Sequence, residues 1–186
     1  MPLLAKPSQP GAATPISEIP VVNSVPASAF KHPVYFLAIG LGSGASPKAP
    51  GTAGTLAAAA LFWPLSLLSW QAYLVVLVVS ALIGIYLCGK TARDWKVHDH
   101  SGIVWDEFVG FWITMFAVPA TWYWVLAGFV LFRLFDIWKP WPIRHFDRHV
   151  HGGVGIMLDD IVAGVFAWLT LSLVVWASGG SLVIFS

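Results

Sequence analysis

From residue 31 onward, apolar runs alternate with short polar connections. The apolar pattern predicts five helices, at 55–70, 72–89, 103–118, 122–138 and 154–177. A helix needs about 20 apolar residues to cross a bilayer core ~30 Å thick, so the third and fourth runs are short for complete spans. The run VYFLAIGLG (34–42) is shorter still, and it predicts an interfacial segment or one packed inside the fold. The expected fold class is an all-α, polytopic integral membrane bundle with four to five membrane helices and short interfacial helices.

Composition supports a membrane protein and divides the chain into two parts. Hydrophobic residues make up 58% of the chain and charged residues 10%, whereas soluble domains carry roughly 25% charged residues. The formal net charge of +1 gives no reason to expect nucleic acid as a partner. Residues 1–30 are rich in Pro, Ala and Ser and predict a disordered tail. Residues 31–186 are expected to form the membrane-embedded domain.

Basic residues fall in alternate connections between the predicted helices. The connections before the first run, after the second and after the fourth contain Lys or Arg, whereas SWQ (69–71) and VPATW (118–122) carry no charge. The positive-inside rule therefore places the basic connections on the cytoplasmic side.

Acidic residues gather at that same predicted side. Asp106 and Glu107 begin the third run, Asp136 lies near the end of the fourth, and Asp159 and Asp160 enter the fifth. Packed carboxylates repel one another and favour protonation unless a cation balances them. Oxygen ligands of this kind suit Mg²⁺, so all five are candidate metal ligands.

Helix capping is the alternative interpretation of these acids. It could account for Asp106 and Asp159, because a helix N-terminus favours negative charge. It does not account for the second acid of each pair, or for Asp136 at a helix C-terminus. Adjacent helical residues point about 100° apart, so the member of each pair that faces the metal is left open.

Two features suggest phosphate binding. The glycine-rich segment GLGSGASPKAPGTAGT (40–55) precedes a helix, and its backbone N–H groups with Lys48 could cradle a phosphate. Alternatively, it is an interface turn in which Thr52 and Thr55 are N-caps. Arg133 lies three residues before Asp136, which fits either an intrahelical ion pair or an anion clamp.

Three segments together carry a family resemblance: GSGASPKAPGTAGT, VHDHSGIVWDEFVG and FRLFDIWKPWPIRHFDRHVHGGVGIMLDDIVAG. In this order they resemble bacterial phosphatidylglycerophosphatase A, over about residues 33–177. The resemblance implies a multi-pass, Mg²⁺-dependent lipid phosphatase of the bacterial inner membrane with an all-α fold. Such an enzyme converts phosphatidylglycerophosphate to phosphatidylglycerol and phosphate at the cytoplasmic face.

The sequence contains no Cys-x₅-Arg loop and no Asp-x-Asp-x-Thr motif. Attack by a metal-activated water is therefore our hypothesis, with a transient carboxyl-phosphate left open. The candidate catalytic residues are Asp99, His100, Asp106, Glu107 and Asp136, of which Asp99 or His100 would handle the leaving-group proton. The candidate phosphate ligands are Lys48, Thr52, Thr55, Arg133 and Arg144.

Two other functions are alternatives to phosphatase activity. A lipid phosphotransferase using CDP-alcohols would carry an Ala-Arg element beside its acidic pairs, which DEFVG and DDIVAG lack. A small cation transporter or channel would place its acids near the membrane midplane. The acids here are predicted at one interface, which favours chemistry on a lipid headgroup.

Overall fold

The computed structural model describes residues 24–97, 100–141, 143 and 150–182, and within these ranges it is helical without strands. Two 3₁₀ segments, Ala27–Phe30 and Gly40–Ala45, flank the short helix α1 (Pro33–Ala38). The remaining helices are α2 (Pro50–Leu65), α3 (Trp70–Asp94), α4 (Trp105–Thr114), α5 (Trp122–Trp138) and α6 (Gly152–Ala177). The all-α class is confirmed.

Each of the five apolar runs corresponds to one helix, although α2 begins before its run and α3 extends beyond its run at both ends. The helices differ in length. Two of them, α3 with 25 residues and α6 with 26, are long and apolar enough to cross a membrane. At 1.5 Å per residue, the 10 residues of α4 extend only about 15 Å, which is half of a bilayer core. The expectation of four to five spans is thus not confirmed by helix length.

The short helix α4 lies at the centre of the bundle. It contacts α2, α3, α5 and α6, and none of its residues is exposed. Its indole Trp112 donates a hydrogen bond to the Ala58 carbonyl of α2 at 3.0 Å, and Tyr73 of α3 donates to the Trp112 carbonyl at 2.8 Å. These bonds satisfy polar groups inside an apolar core and fix α4 relative to its neighbours.

Glycines set the distance between α4 and α6. A Cβ added at Gly164 would overlap the Gly110 carbonyl oxygen, and one at Gly110 would lie 2.7 Å from the Asp160 carbonyl oxygen. The two backbones therefore touch, which larger residues would prevent. Because Gly110 lies one turn from Glu107 and Gly164 one turn from Asp160, this crossing brings acids of the two helices together.

The N-terminal segment is partly ordered against the bundle. Ala27–Phe30 form a 3₁₀ turn with Ala29 fully buried, although the sequence predicted a disordered tail over 1–30. Residues 1–23 lie outside the described ranges. The Tyr35 hydroxyl of α1 donates to Asp94 of α3 at 2.7 Å, so α1 is tied to the end of α3.

Candidate active site

A polar cavity of about 270 Å³ opens at one end of the bundle. The starts of α2 and α4, the end of α5 and the first part of α6 form its walls. Its lining residues are Ala49, Pro50, Gly51, Ser101, Ile103, Asp106, Glu107, Arg133, Asp136, Lys139, Asp159 and Asp160. All five predicted carboxylates therefore line one cavity. The sequence had placed them at the same end of the helices.

Three of these carboxylates form a tight group, which we call the acidic trio: Asp106, Glu107 and Asp160. One carboxylate oxygen from each lies within 4.8 Å of the others. Asp160 is 3% exposed, and the Glu107 side chain is 12% exposed. The Oε2 atom of Glu107 and the Oδ2 atom of Asp160 are buried without a hydrogen-bond partner among the described residues. A buried oxygen of this kind is costly unless a cation or donor satisfies it.

The electrostatics of Glu107, which lies outside the two candidate spans, also favour a bound cation. Burial, together with the nearby negative charge of Asp160, raises the pKa of Glu107 to about 8. Near neutral pH Glu107 thus favours its protonated form. A divalent cation would replace that proton, and three carboxylate oxygens are a donor set suited to a hard cation.

The other two carboxylates are already balanced by basic side chains. Arg133 Nη1 lies 2.5 Å from Asp136 Oδ2, and Lys139 Nζ lies 2.6 Å from Asp159 Oδ2. Of the two interpretations of Arg133, the intrahelical ion pair is therefore present, and Arg133 also lies 3.9 Å from Glu107 Oε1. Asp136 and Asp159 are not members of the acidic trio, although the Asp136 carboxyl interacts directly with that of Asp160. Their assignment as metal ligands therefore stays a prediction.

The glycine-rich segment reaches the cavity through its backbone. Ala49, in the left-handed region at φ 48°, precedes α2, and the helix begins without a side-chain cap. A Cβ at Gly51 would collide with Glu107 Oε1 and would lie 3.1 Å from Arg133 Nη1. A larger residue at this position would therefore have to displace the Glu107 or Arg133 side chain. The N–H groups of Gly51 and Thr52 have no intrahelical acceptor in the first turn of α2, and Gly51 lines the cavity.

The side chains predicted from this segment do not line the cavity. Lys48 is exposed, and Thr52 is half-buried beside the lining residues. Thr55 is fully buried and donates its hydroxyl to the Gly51 carbonyl at 2.9 Å, which keeps it within its own helix. Neither threonine is an N-cap, since Ala49 holds that position.

The capping interpretation of the acids holds only in part. Asp106 lies in the first turn of α4, where the helix dipole favours its charge. Asp159 does not cap α6, because that helix begins at Gly152, about two turns earlier.

His100 has a structural environment. It is 9% exposed, its Nδ1 accepts a hydrogen bond from the Gly102 N–H at 3.0 Å, and its ring meets the edge of Trp95. It does not line the cavity, so its predicted role in proton transfer is not supported. Asp99 and Arg144 lie outside the described residues.

Lys139 is the cavity residue that the sequence did not indicate. It ends α5 in the left-handed region, at φ 44° and ψ 60°, and its side chain returns to the cavity wall at Asp159. In the sequence it is one of the basic residues of the connection after the fourth apolar run. The following Pro140 was the available signal, because the residue before a proline is disfavoured in a right-handed helix and must turn.

Comparison with known proteins gives a consistent result over most of the chain. The family model described as phosphatidylglycerophosphatase A matches residues 36–175. Proteins with that name from Escherichia coli and Haemophilus influenzae are 58% and 50% identical to the chain, each over 73% of it and over 80% and 85% of their own lengths. A Bacteroides thetaiotaomicron protein provisionally named as a phosphatidylinositol-3-phosphatase is 45% identical over 75% of this chain and 92% of its own. No solved structure matches the chain.

Proposed function

The chain belongs to the phosphatidylglycerophosphatase A family, and from that premise we propose that it hydrolyses the phosphomonoester of phosphatidylglycerophosphate to phosphatidylglycerol and phosphate. The reaction would be Mg²⁺-dependent and would take place at the cytoplasmic face of the bacterial inner membrane. One observation carries the proposal: the acidic trio shares a cavity with two basic side chains, Arg133 and Lys139. The cavity can thus receive both a cation and a phosphate.

The acidic trio is the proposed Mg²⁺ site. The buried oxygens of Glu107 and Asp160 that have no hydrogen-bond partner among the described residues fit such a cation, and so does the all-oxygen donor set. When bound, Mg²⁺ would polarise a phosphoryl oxygen and lower the pKa of a bound water.

The remaining cavity groups would bind the phosphate. Arg133 presents a planar guanidinium at the wall, and Asp136 holds it in place from one turn further along α5. The Gly51 and Thr52 N–H groups add donors at the positive end of the α2 dipole. Together these groups would neutralise the charge on the transferring phosphoryl group. Asp99 stays a predicted proton donor, and it lies outside the described residues.

The position of the cavity supports action on a membrane lipid. The basic residues Lys90 and Arg93 lie in the last turns of α3, which end on the cavity side of the bundle. At the opposite helix ends, Trp70, Trp122 and Trp176 are 47%, 71% and 74% exposed, as expected at a membrane interface. We infer a multi-pass protein in which α2 and α5 accompany α3 and α6 in the membrane, with the cavity at headgroup level on the cytoplasmic side.

Phosphate release from phosphatidylglycerophosphate by detergent-purified protein tests this proposal. Asp160→Asn and Glu107→Gln should each lower the Mg²⁺-dependent rate at least ~100-fold, since each removes a charged donor from the trio. Asp94→Asn is the matched control, because Asp94 is a carboxylate outside the cavity that binds Lys90. Normal Mg²⁺ binding without any hydrolysis by the wild-type protein would contradict the proposal and favour a cation transporter.

A further inference from the structure

We propose that Lys139 binds the substrate phosphate and that Asp159 is its positioning partner, not a ligand of the cation. This inference rests on the proposed phosphatase function and divides the five cavity carboxylates into two kinds. The acidic trio would hold the cation, whereas Asp136 and Asp159 would each hold one basic side chain toward the phosphate. The binding class is a phosphomonoester dianion, whether it is carried by a lipid or free.

The contacts of the adjacent residues Asp159 and Asp160 support this division. Asp160 joins the trio, within 4.8 Å of Asp106 and Glu107, while Asp159 Oδ2 lies 2.6 Å from Lys139 Nζ. Their side chains leave α6 about 100° apart, so one can face the trio while the other faces the end of α5. In this arrangement Asp160 is directed to the trio and Asp159 to Lys139.

The backbone at Lys139 gives an independent argument. Its φ of 44° and ψ of 60° lie in the left-handed region, where a residue with a Cβ is strained and where helices commonly end with glycine. Glycine would therefore relieve strain at this position. Lysine is present here despite that strain, and its side chain lines the cavity and binds the Asp159 carboxylate. Strained backbone is often found at functional sites, which agrees with a phosphate-binding role for Lys139.

The Lys139–Asp159 pair resembles the Arg133–Asp136 pair in the same cavity. Arg133 and Lys139 both come from the end of α5, and each forms an ion pair with an aspartate, at 2.5 Å and 2.6 Å. The Lys139 side chain is 28% exposed and that of Asp159 is 12% exposed, so the lysine is the more accessible member of its pair. A phosphate entering the cavity would meet the ammonium group, while the aspartate keeps that group from swinging into solvent.

Five variants test the assignment: Lys139→Gln, Lys139→Arg, Lys139→Gly, Asp159→Asn and Asp160→Asn. Lys90→Gln is the matched control, because Lys90 and Asp94 form an equally short pair, at 2.7 Å, outside the cavity. The measurements are KM and kcat for phosphatidylglycerophosphate, binding of inorganic phosphate by calorimetry, and binding of Mn²⁺ by electron paramagnetic resonance without substrate. Melting temperature is recorded for every variant.

We expect Lys139→Gln and Asp159→Asn to raise KM and weaken phosphate binding about tenfold or more, a loss typical of a charge-assisted hydrogen bond. Their Mn²⁺ affinity should stay within about twofold of wild type, whereas Asp160→Asn should lose Mn²⁺ binding. Lys139→Arg should recover most of the phosphate affinity, since it restores the positive charge. Lys139→Gly should melt at or above the wild-type temperature and still lose phosphate binding.

Two results would overturn the assignment. Loss of Mn²⁺ binding in Asp159→Asn, as in Asp160→Asn, would make Asp159 a metal ligand. Wild-type phosphate binding in Lys139→Gln would remove Lys139 from the phosphate site. If the wild-type protein binds phosphate and Mn²⁺ but releases no phosphate from lipid, the proposed reaction fails, while the binding data still decide the roles of Lys139 and Asp159.

Discussion

Replacing Gly164 with alanine tests whether the close crossing of α4 and α6 builds the acidic trio. The added Cβ would overlap the Gly110 carbonyl oxygen and lie 3.1 Å from the Gly110 Cα and carbonyl carbon. These are rigid backbone atoms, so no side chain can move aside. The helices must separate by several tenths of an ångström or more before the contact reaches an ordinary van der Waals distance.

The effect on stability and the effect on activity should differ in size. Overpacking costs about 1–3 kcal/mol, and the better helix propensity of alanine offsets about 0.8–1 kcal/mol of it. The expected net loss is about 0–2 kcal/mol. Displacement of a reacting geometry by about 1 Å can cost on the order of 100-fold in rate. Asp160 lies one turn from Gly164, so its distance from Glu107 must increase with the helix separation.

The assay measures phosphate release across a Mg²⁺ titration, together with melting temperature from tryptophan fluorescence. Gly128→Ala in α5 is the matched control, because its Cβ would meet only side-chain atoms, the nearest being the flexible Met115 sulfur at 2.5 Å. Gly164→Ala should need at least about tenfold more Mg²⁺ and lose most of its rate, while Gly128→Ala should behave like wild type. A Gly164→Ala protein with a normal Mg²⁺ titration and rate would refute the reasoning.

Three further predictions follow from single side chains. In the presence of a chelator, Glu107→Gln should keep or raise the melting temperature, because it removes a buried acid. The variant should also lose the increase in melting temperature that Mg²⁺ gives to the wild-type protein. If that increase is retained, the acidic trio is not the metal site. Thr55→Val should leave KM and kcat unchanged and alter stability by less than about 1.5 kcal/mol, because its hydroxyl is bound within α2; a raised KM would return Thr55 to the phosphate site. His100→Ala should destabilise the protein by about 1–3 kcal/mol, because the Gly102 N–H loses its hydrogen-bond acceptor. The pH–rate profile should keep both of its limbs. Loss of a limb would make His100 a general acid or base.

The sequence was sufficient to place the acids at one end of the bundle. Alternating helix direction and the basic connections put Asp106, Glu107, Asp136, Asp159 and Asp160 at a common end, and the cavity contains all five. The sequence could not decide which member of a pair faces the cation. That depends on which face of α6 packs on α4, and the Gly110–Gly164 contact that sets it joins residues 54 positions apart.

Local chemistry explains the other differences. Thr55 was predicted from its glycine-rich surroundings, but α2 begins at Pro50 and turns the Thr55 hydroxyl back to Gly51. The third apolar run predicted a helix over 103–118, yet α4 ends at Thr114, and Ala117 then adopts a φ of 60°. A run of apolar residues predicts that the segment is buried, but it does not predict where a helix within that segment ends.

Enclosure of α4 has a consequence for how the proposed enzyme would respond to different lipids. Helices that face lipid tilt when the thickness of the bilayer changes. No residue of α4 is exposed, and its backbone touches α6 at Gly110 and Gly164, so α4 would move with α6 as one body. The acidic trio would then keep its spacing in thin and thick membranes alike. Adaptation to membrane composition would fall to the outer faces of α3 and α5, which carry none of the three acids.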